Sequence, residues 1–94
     1  MAHPQFVFDS ARIYRETAEA IMNLIKTELE MARIFVSMAE RVDDTKKHAR
    51  YVGLATHALE VIDRNLWKYD VPHENREQIS ACAERLRFEI EALS

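Results

Sequence analysis

One glycine (Gly53) and two prolines (Pro4 and Pro72) are all that punctuate this 94-residue chain. Because these two residue types most often end helices and shape turns, a chain so poor in both has few options beyond a small number of long helices. The apolar residues agree. Between Asp9 and Val42 they recur every three or four residues, at Tyr14, Ala18, Ile21, Leu24, Ile25, Met31, Ala32, Phe35, Met38, Ala39 and Val42. That spacing defines one wide apolar helix face. Asp9 or Ser10 is placed to cap the start, with Phe8 just ahead as a hydrophobic staple.

Asp43-Asp44-Thr45 breaks the pattern and supplies caps for a second helix, whose inner face carries Val52, Ala55, Leu59, Ile62 and Leu66. So short a link makes the first two helices antiparallel. A second break follows at Tyr69-Asp70-Val71-Pro72, where Asp70 is a cap candidate and Pro72 suits a first helical turn. Glu74 and Glu77 complement the positive end of the third helix, which buries Ile79, Cys82, Ala83, Leu86, Ile90 and Leu93. The expected fold is all-α: a single domain over 1–94 with an up-down-up arrangement of helices at about 10–42, 46–68 and 72–93.

Charge narrows the functions. The net charge is −3, with basic and acidic residues interleaved along the chain. No face gathers the positive field that nucleic-acid phosphates or anionic lipids demand, so neither nucleic acid nor membrane is an expected partner. The one cysteine, Cys82, cannot close an intramolecular disulfide, and the N-terminal residues lack a basic segment followed by a sustained apolar run. A cytoplasmic location is expected.

Length then raises the question of partners. A first helix of about 33 residues is on the order of 50 Å long, against roughly 30–35 Å for each of the others. Phe6, Phe8, Ile13, Tyr14 and Ala18 should therefore overhang the second helix, to be covered by a second subunit or by the N-terminal segment folding back. On the other two helices, Leu54, Val61, Ala81 and Phe88 lie off the core faces and line up as one outward stripe. The alternative is unconnected surface exposure.

Candidate chemistry is sparse. Glu28 is the one charged residue within the wide face of the first helix, between Leu24, Ile25, Met31 and Ala32. A carboxylate buried there needs a partner or a proton. Either it marks a functional site or it pairs with Arg76, Arg87, a hydroxyl or solvent and fixes the packing register. His57 and Glu60 offer a two-ligand spacing on one helix, but the Glu-x-x-His pairs of di-iron bundles are absent. His48, beside Lys46, Lys47 and Arg50, invites comparison with helical phosphotransfer modules, yet their His-x-x-Lys-Gly pattern is missing, and a capping or core-edge role suits it better. Trp67, Tyr69 and Tyr51 stand near the ends of the second helix, where aromatics are more often core than pocket. No Ser, His and acid set suggests nucleophilic catalysis, and no cofactor is implied. The resulting expectation is a noncatalytic homo-oligomeric interaction module, a dimer by preference. Its interaction surface is expected among Phe6, Phe8, Ile13, Tyr14, Leu54, Val61 and Phe88. A small-ligand- or metal-binding bundle organised around Glu28 is the alternative.

Overall fold

The computed structural model describes the backbone of residues 3–94 and the side chains of residues 17–94. Three helices account for nearly all of it: α1 (His3–Arg41), α2 (Thr45–Lys68) and α3 (His73–Leu93). Helix α1 begins at His3 rather than at Asp9 or Ser10. Nothing between Pro4 and Ser10 breaks a helix, and a proline in the first turn forfeits an N–H that has no intrahelical acceptor anyway.

The start of α2 follows expectation, with Asp44 as N-cap and its side chain accepting from the Lys46 N–H at 3.2 Å. The start of α3 differs. Pro72, not Asp70, is the N-cap residue, in an extended conformation and with no side-chain capping bond. Its carbonyl accepts the first intrahelical bond from the Arg76 N–H at 2.9 Å. The fixed φ of proline suits this junction, and Glu74 in the first turn offsets the positive helix end.

Helices α1 and α2 pack most closely, with α3 laid against both. Small residues explain the intimacy. Along α1 the covered seam reads Met22, Ile25, Leu29, Ala32, Val36, Ala39, alternating steps of three and four; along α2 it reads Ala55, Ala58, Leu59, Ile62, Leu66. Four alanine methyls in place of larger side chains let the two backbones approach. Phe35 stacks on Tyr51 across this pair, with ring centroids 6.4 Å apart.

Helix α3 runs parallel to α1, since Asn75 lies beside Met22 (Nδ2 to Sδ, 4.0 Å) and Arg33 beside Cys82 (Nη2 to Sγ, 3.8 Å). It contributes Ile79, Ala83, Leu86 and Ile90 to the core, which buried Val71 closes at the α2–α3 turn. An ion pair from Arg87 to Asp63, at 2.6 Å and half exposed, ties α3 to α2. Exposed pairs of this kind add little stability. The long axis of the molecule is 64 Å, far more than the roughly 36 Å of α2, so α1 projects beyond the other two helices. No helix among the described residues is long and apolar enough to cross a membrane.

Candidate functional site

The wide apolar face of α1 is covered over only part of its width. Ile25, Ala32 and Val36 are buried, but Leu24, Met31 and Met38, expected in the core, remain 39%, 39% and 37% exposed. Ile34 joins them at 55%. Leu24, Met31 and Met38 are seven residues apart and Ile34 falls three after Met31. At about 3.6 residues per turn these four make a second seam along α1, well round the helix from the one that α2 and α3 cover. Four of the six exposed large hydrophobic side chains among the described residues belong to it. The other two are Trp67 and Phe88.

Glu28 stands on the border between the two seams, with buried Ile25 and Ala32 on one side and exposed Leu24 and Met31 on the other. It is half-buried, and no charged side chain is buried among the described residues. The expected buried carboxylate is thereby corrected: Glu28 is only half-buried, at the edge of the covered seam. Of its two candidate partners, Arg87 binds Asp63 and Arg76 donates to the Tyr69 carbonyl at 3.4 Å.

The stripe expected on α2 and α3 divides. Leu54 and Val61 are half-buried, each adjoining a buried residue, Ala55 or Ile62. Phe88 is 75% exposed and lies two residues from both Leu86 and Ile90, on the far side of α3 from the core. The side chains of Phe6, Phe8, Ile13 and Tyr14 lie outside the described residues. A lone exposed aromatic requires no partner. Phe88→Glu should accordingly change self-association by less than about twofold and stability by less than about 0.5 kcal/mol. Loss of association in that variant, measured by light scattering, would move the contact surface to α3.

One cleft, of about 560 Å³, forms where the α2–α3 turn meets α1. Ala18, Ile21 and Met22 form one wall and Tyr69, Val71 and Pro72 another, with Lys26, Lys68, Glu19 and Asp70 around them. Glu28 does not line it. Of the three aromatics weighed between core and pocket, Tyr69 lines this cleft and Trp67 and Tyr51 do not; the α1 wall was not legible because it depends on where a turn abuts a neighbouring helix.

His48 ties three helices together through both of its ring nitrogens. From the first turn of α2 its Nδ1 lies 2.8 Å from the Ala39 carbonyl and its Nε2 lies 2.9 Å from the Leu93 carbonyl. Carbonyl oxygens only accept, so both bonds form together only when both ring nitrogens carry protons. The two carbonyls also belong to the last turns of α1 and α3, the negative ends of those helices. Bonding to Leu93 first, and to Ala39 second, raises the His48 pKa above its ordinary value of 6.5, against the opposing effect of desolvation. A raised folded-state pKa means that this stabilisation is complete below about pH 6.5 and is lost as pH rises through the higher folded value. Wild-type stability at pH 6 should therefore exceed that at pH 8 by more than it does in His48→Gln. Identical pH slopes in denaturant titrations of the two proteins would exclude the doubly donating imidazolium. This geometry suits a helix clasp rather than a phosphoryl acceptor, which needs an unprotonated ring nitrogen open to attack.

The other histidine–carboxylate contacts among the described residues are isolated pairs. His57 and Glu60 lie 3.9 Å apart and His73 and Glu77 3.0 Å apart, all four exposed. No three His, Cys, Asp or Glu side chains come together in a metal-binding arrangement among the described residues. Comparison with known proteins finds no matching family model, and no curated protein or solved structure of significant similarity.

Proposed function

We propose that this protein is a noncatalytic homo-association module, a cytoplasmic dimer in which a second copy completes a larger helical bundle. The observation that carries the reading is the outer seam of α1, Leu24, Met31, Ile34 and Met38, left open by a bundle that buries Ile25, Ala32, Val36 and Ala39 of the same helix. Soluble monomers seldom leave large contiguous apolar patches in water. Covering what remains exposed of these four side chains in both copies contributes roughly 5–10 kcal/mol, at 1.5–3 kcal/mol for each fully buried side chain. Against the lower range of the cost of bringing two chains together, about 4 kcal/mol, that leaves roughly 1–6 kcal/mol, a dissociation constant of tens of micromolar or weaker. Sedimentation velocity from one to several hundred micromolar tests it. The expected result is a species of twice the 11.0 kDa chain mass; a single 11.0 kDa species throughout would refute the reading.

The cleft favours a second reading, as a small-ligand carrier. Its volume falls within the range of ligand pockets and its walls are apolar with a polar rim. On this reading the ligand site sits at Ile21, Met22 and Tyr69 rather than around Glu28. Stoichiometric binding of a small amphipathic molecule, lost on Met22→Lys, would favour it over self-association.

A further inference from the structure

We propose that the last turn of α3 is a pH-operated latch, closed on the imidazolium of His48 and released when the ring gives up a proton. The Ala39 and Leu93 carbonyls both fall within the final four of their helices, which lack an intrahelical donor. His48 Nδ1 and Nε2 supply those donors at 2.8 and 2.9 Å. A neutral imidazole carries one ring proton and can serve only one of the two. Its other nitrogen then sets a lone pair against a carbonyl oxygen, and two acceptors at hydrogen-bond distance repel.

Position decides which carbonyl is let go. Ala39 is 1% exposed, within the closely packed α1–α2 pair and nine residues from His48 across the 42–44 link. Leu93 is the last residue of α3, half-buried and 45 residues away. The neutral ring therefore keeps its Nδ1–H on Ala39 and turns a bare Nε2 toward Leu93. Buried Leu86 and Ile90, with the Arg87–Asp63 ion pair, hold α3 in place as far as residue 90. Beyond it, the bonds from Ser94 to the Ile90 and Glu91 carbonyls are internal to α3 and tie it to neither neighbour. Release is thus confined to residues 91–94, and Leu93 leaves the edge of the core with them. The charged groups around the clasp leave the ring in control. Glu40 and Arg41 end α1, Asp43 and Asp44 form the link, Lys46, Lys47 and Arg50 start α2, and Glu89 and Glu91 end α3. None of them forms an ion pair with His48 among the described residues. The Leu93 and Ala39 carbonyls raise the His48 pKa above 6.5 against desolvation. The latch is therefore fully closed below about pH 6.5 and opens as pH rises through the higher folded value.

Nuclear magnetic resonance of the full chain reads the ring and the turn together. Ring nitrogen shifts should show both nitrogens protonated at the acid end of a titration from pH 5 to pH 9, and Nδ1 alone protonated at the alkaline end. Across the same titration the non-helical fraction at residues 91–93, read from Cα shifts, should rise about fivefold, as expected for the loss of one hydrogen bond of ordinary net strength. Residues 79–86 of α3 should keep their helical shifts throughout. In His48→Gln, whose amide does not titrate, the fraction at 91–93 should not vary with pH. A ring that titrates with no change at 91–93 would overturn the latch. So would a ring that never titrates, one with a bare nitrogen at the acid end, or a neutral ring protonated at Nε2. Loss of helical shifts along the whole of α3 would replace local release with general loosening, and would equally sink the proposal. Should the glutamine variant fail to fold, the wild-type titration still decides, because the ring and residues 91–93 must share one midpoint.

Discussion

Ile34→Glu should separate the protein into monomers while leaving its helices intact. Ile34 is the most exposed of the four outer-seam side chains, at 55%, and therefore has the most surface left to lose to a partner. A self-paired interface feels the substitution twice. Each copy forfeits about 1 kcal/mol of apolar burial and, in addition, must bring a carboxylate into a seam meant to be dry. Together these cost on the order of 3–6 kcal/mol, weakening association by at least about a hundredfold. Glutamate is a slightly better helix former than isoleucine, and position 34 takes no part in the core, so the monomer should keep its stability within about 0.5 kcal/mol. Sedimentation equilibrium on wild type, Ile34→Glu and Phe88→Glu separates the possibilities. A wild-type association constant in the Ile34 variant would remove the α1 seam from consideration.

The largest effect on the fold itself should come from Ile62→Ala. Ile62 and Ile25 are the two largest side chains with no exposure at all, and Ile62 sits well along α2 within the core cluster. Truncation removes buried methyl groups and leaves a cavity between three helices whose alanines already sit in close contact, so little relaxation can fill it. The expected loss is about 2–5 kcal/mol, a large part of the roughly 5–15 kcal/mol that holds a typical domain together. For a domain of this size the melting temperature should fall by roughly ten degrees or more. A loss below about 1 kcal/mol in urea titration would mean that the cavity collapses, and that Ile62 is not the keystone its burial suggests.

Three helices and two connections were legible because periodicity and punctuation agree: Asp44 caps α2, Pro72 marks the start of α3, though as its N-cap rather than within its first turn, and the expected inner faces hold most of the buried residues of α2 and α3, with Ala58 added and Cys82 only half-buried. The start of α1 was not, since Asp9 and Ser10 have capping side chains but nothing in the sequence compels a helix to begin at the first available cap. Glu28 was misread for a related reason. Periodicity fixes the angle of a residue around its helix, but not how much of a wide face the neighbouring helices reach. Within a face read as one stripe from Tyr14 to Val42, a covered seam and an open seam lie side by side over residues 22–39, with Glu28 between them. Ile34 was overlooked because it falls just outside that stripe. The seven-residue spacing of Leu24, Met31 and Met38, with Ile34 at plus three, was the available signal. Trp67, 85% exposed near the end of α2, gave none, because an aromatic at helical spacing looks the same whether it faces in or out.

The three-residue connection at 42–44, between helices faced with small residues, also bears on how quickly the chain reaches its native state. Closing so short a link costs little chain entropy, and the contacts it brings together first, Ala39 and Val42 against the start of α2, lie close in sequence. The α1–α2 hairpin can zip outward from that corner with no distant strand to await. Chains built this way, from local contacts and without sheet pairing, reach the native state in microseconds to milliseconds. The outer seam of α1 gains nothing from that zipping, because α2 and α3 both close on the other side of the helix. On the homo-association proposed above, its burial waits on an encounter between two molecules, a step that should accelerate with protein concentration while the hairpin closes at a rate independent of it.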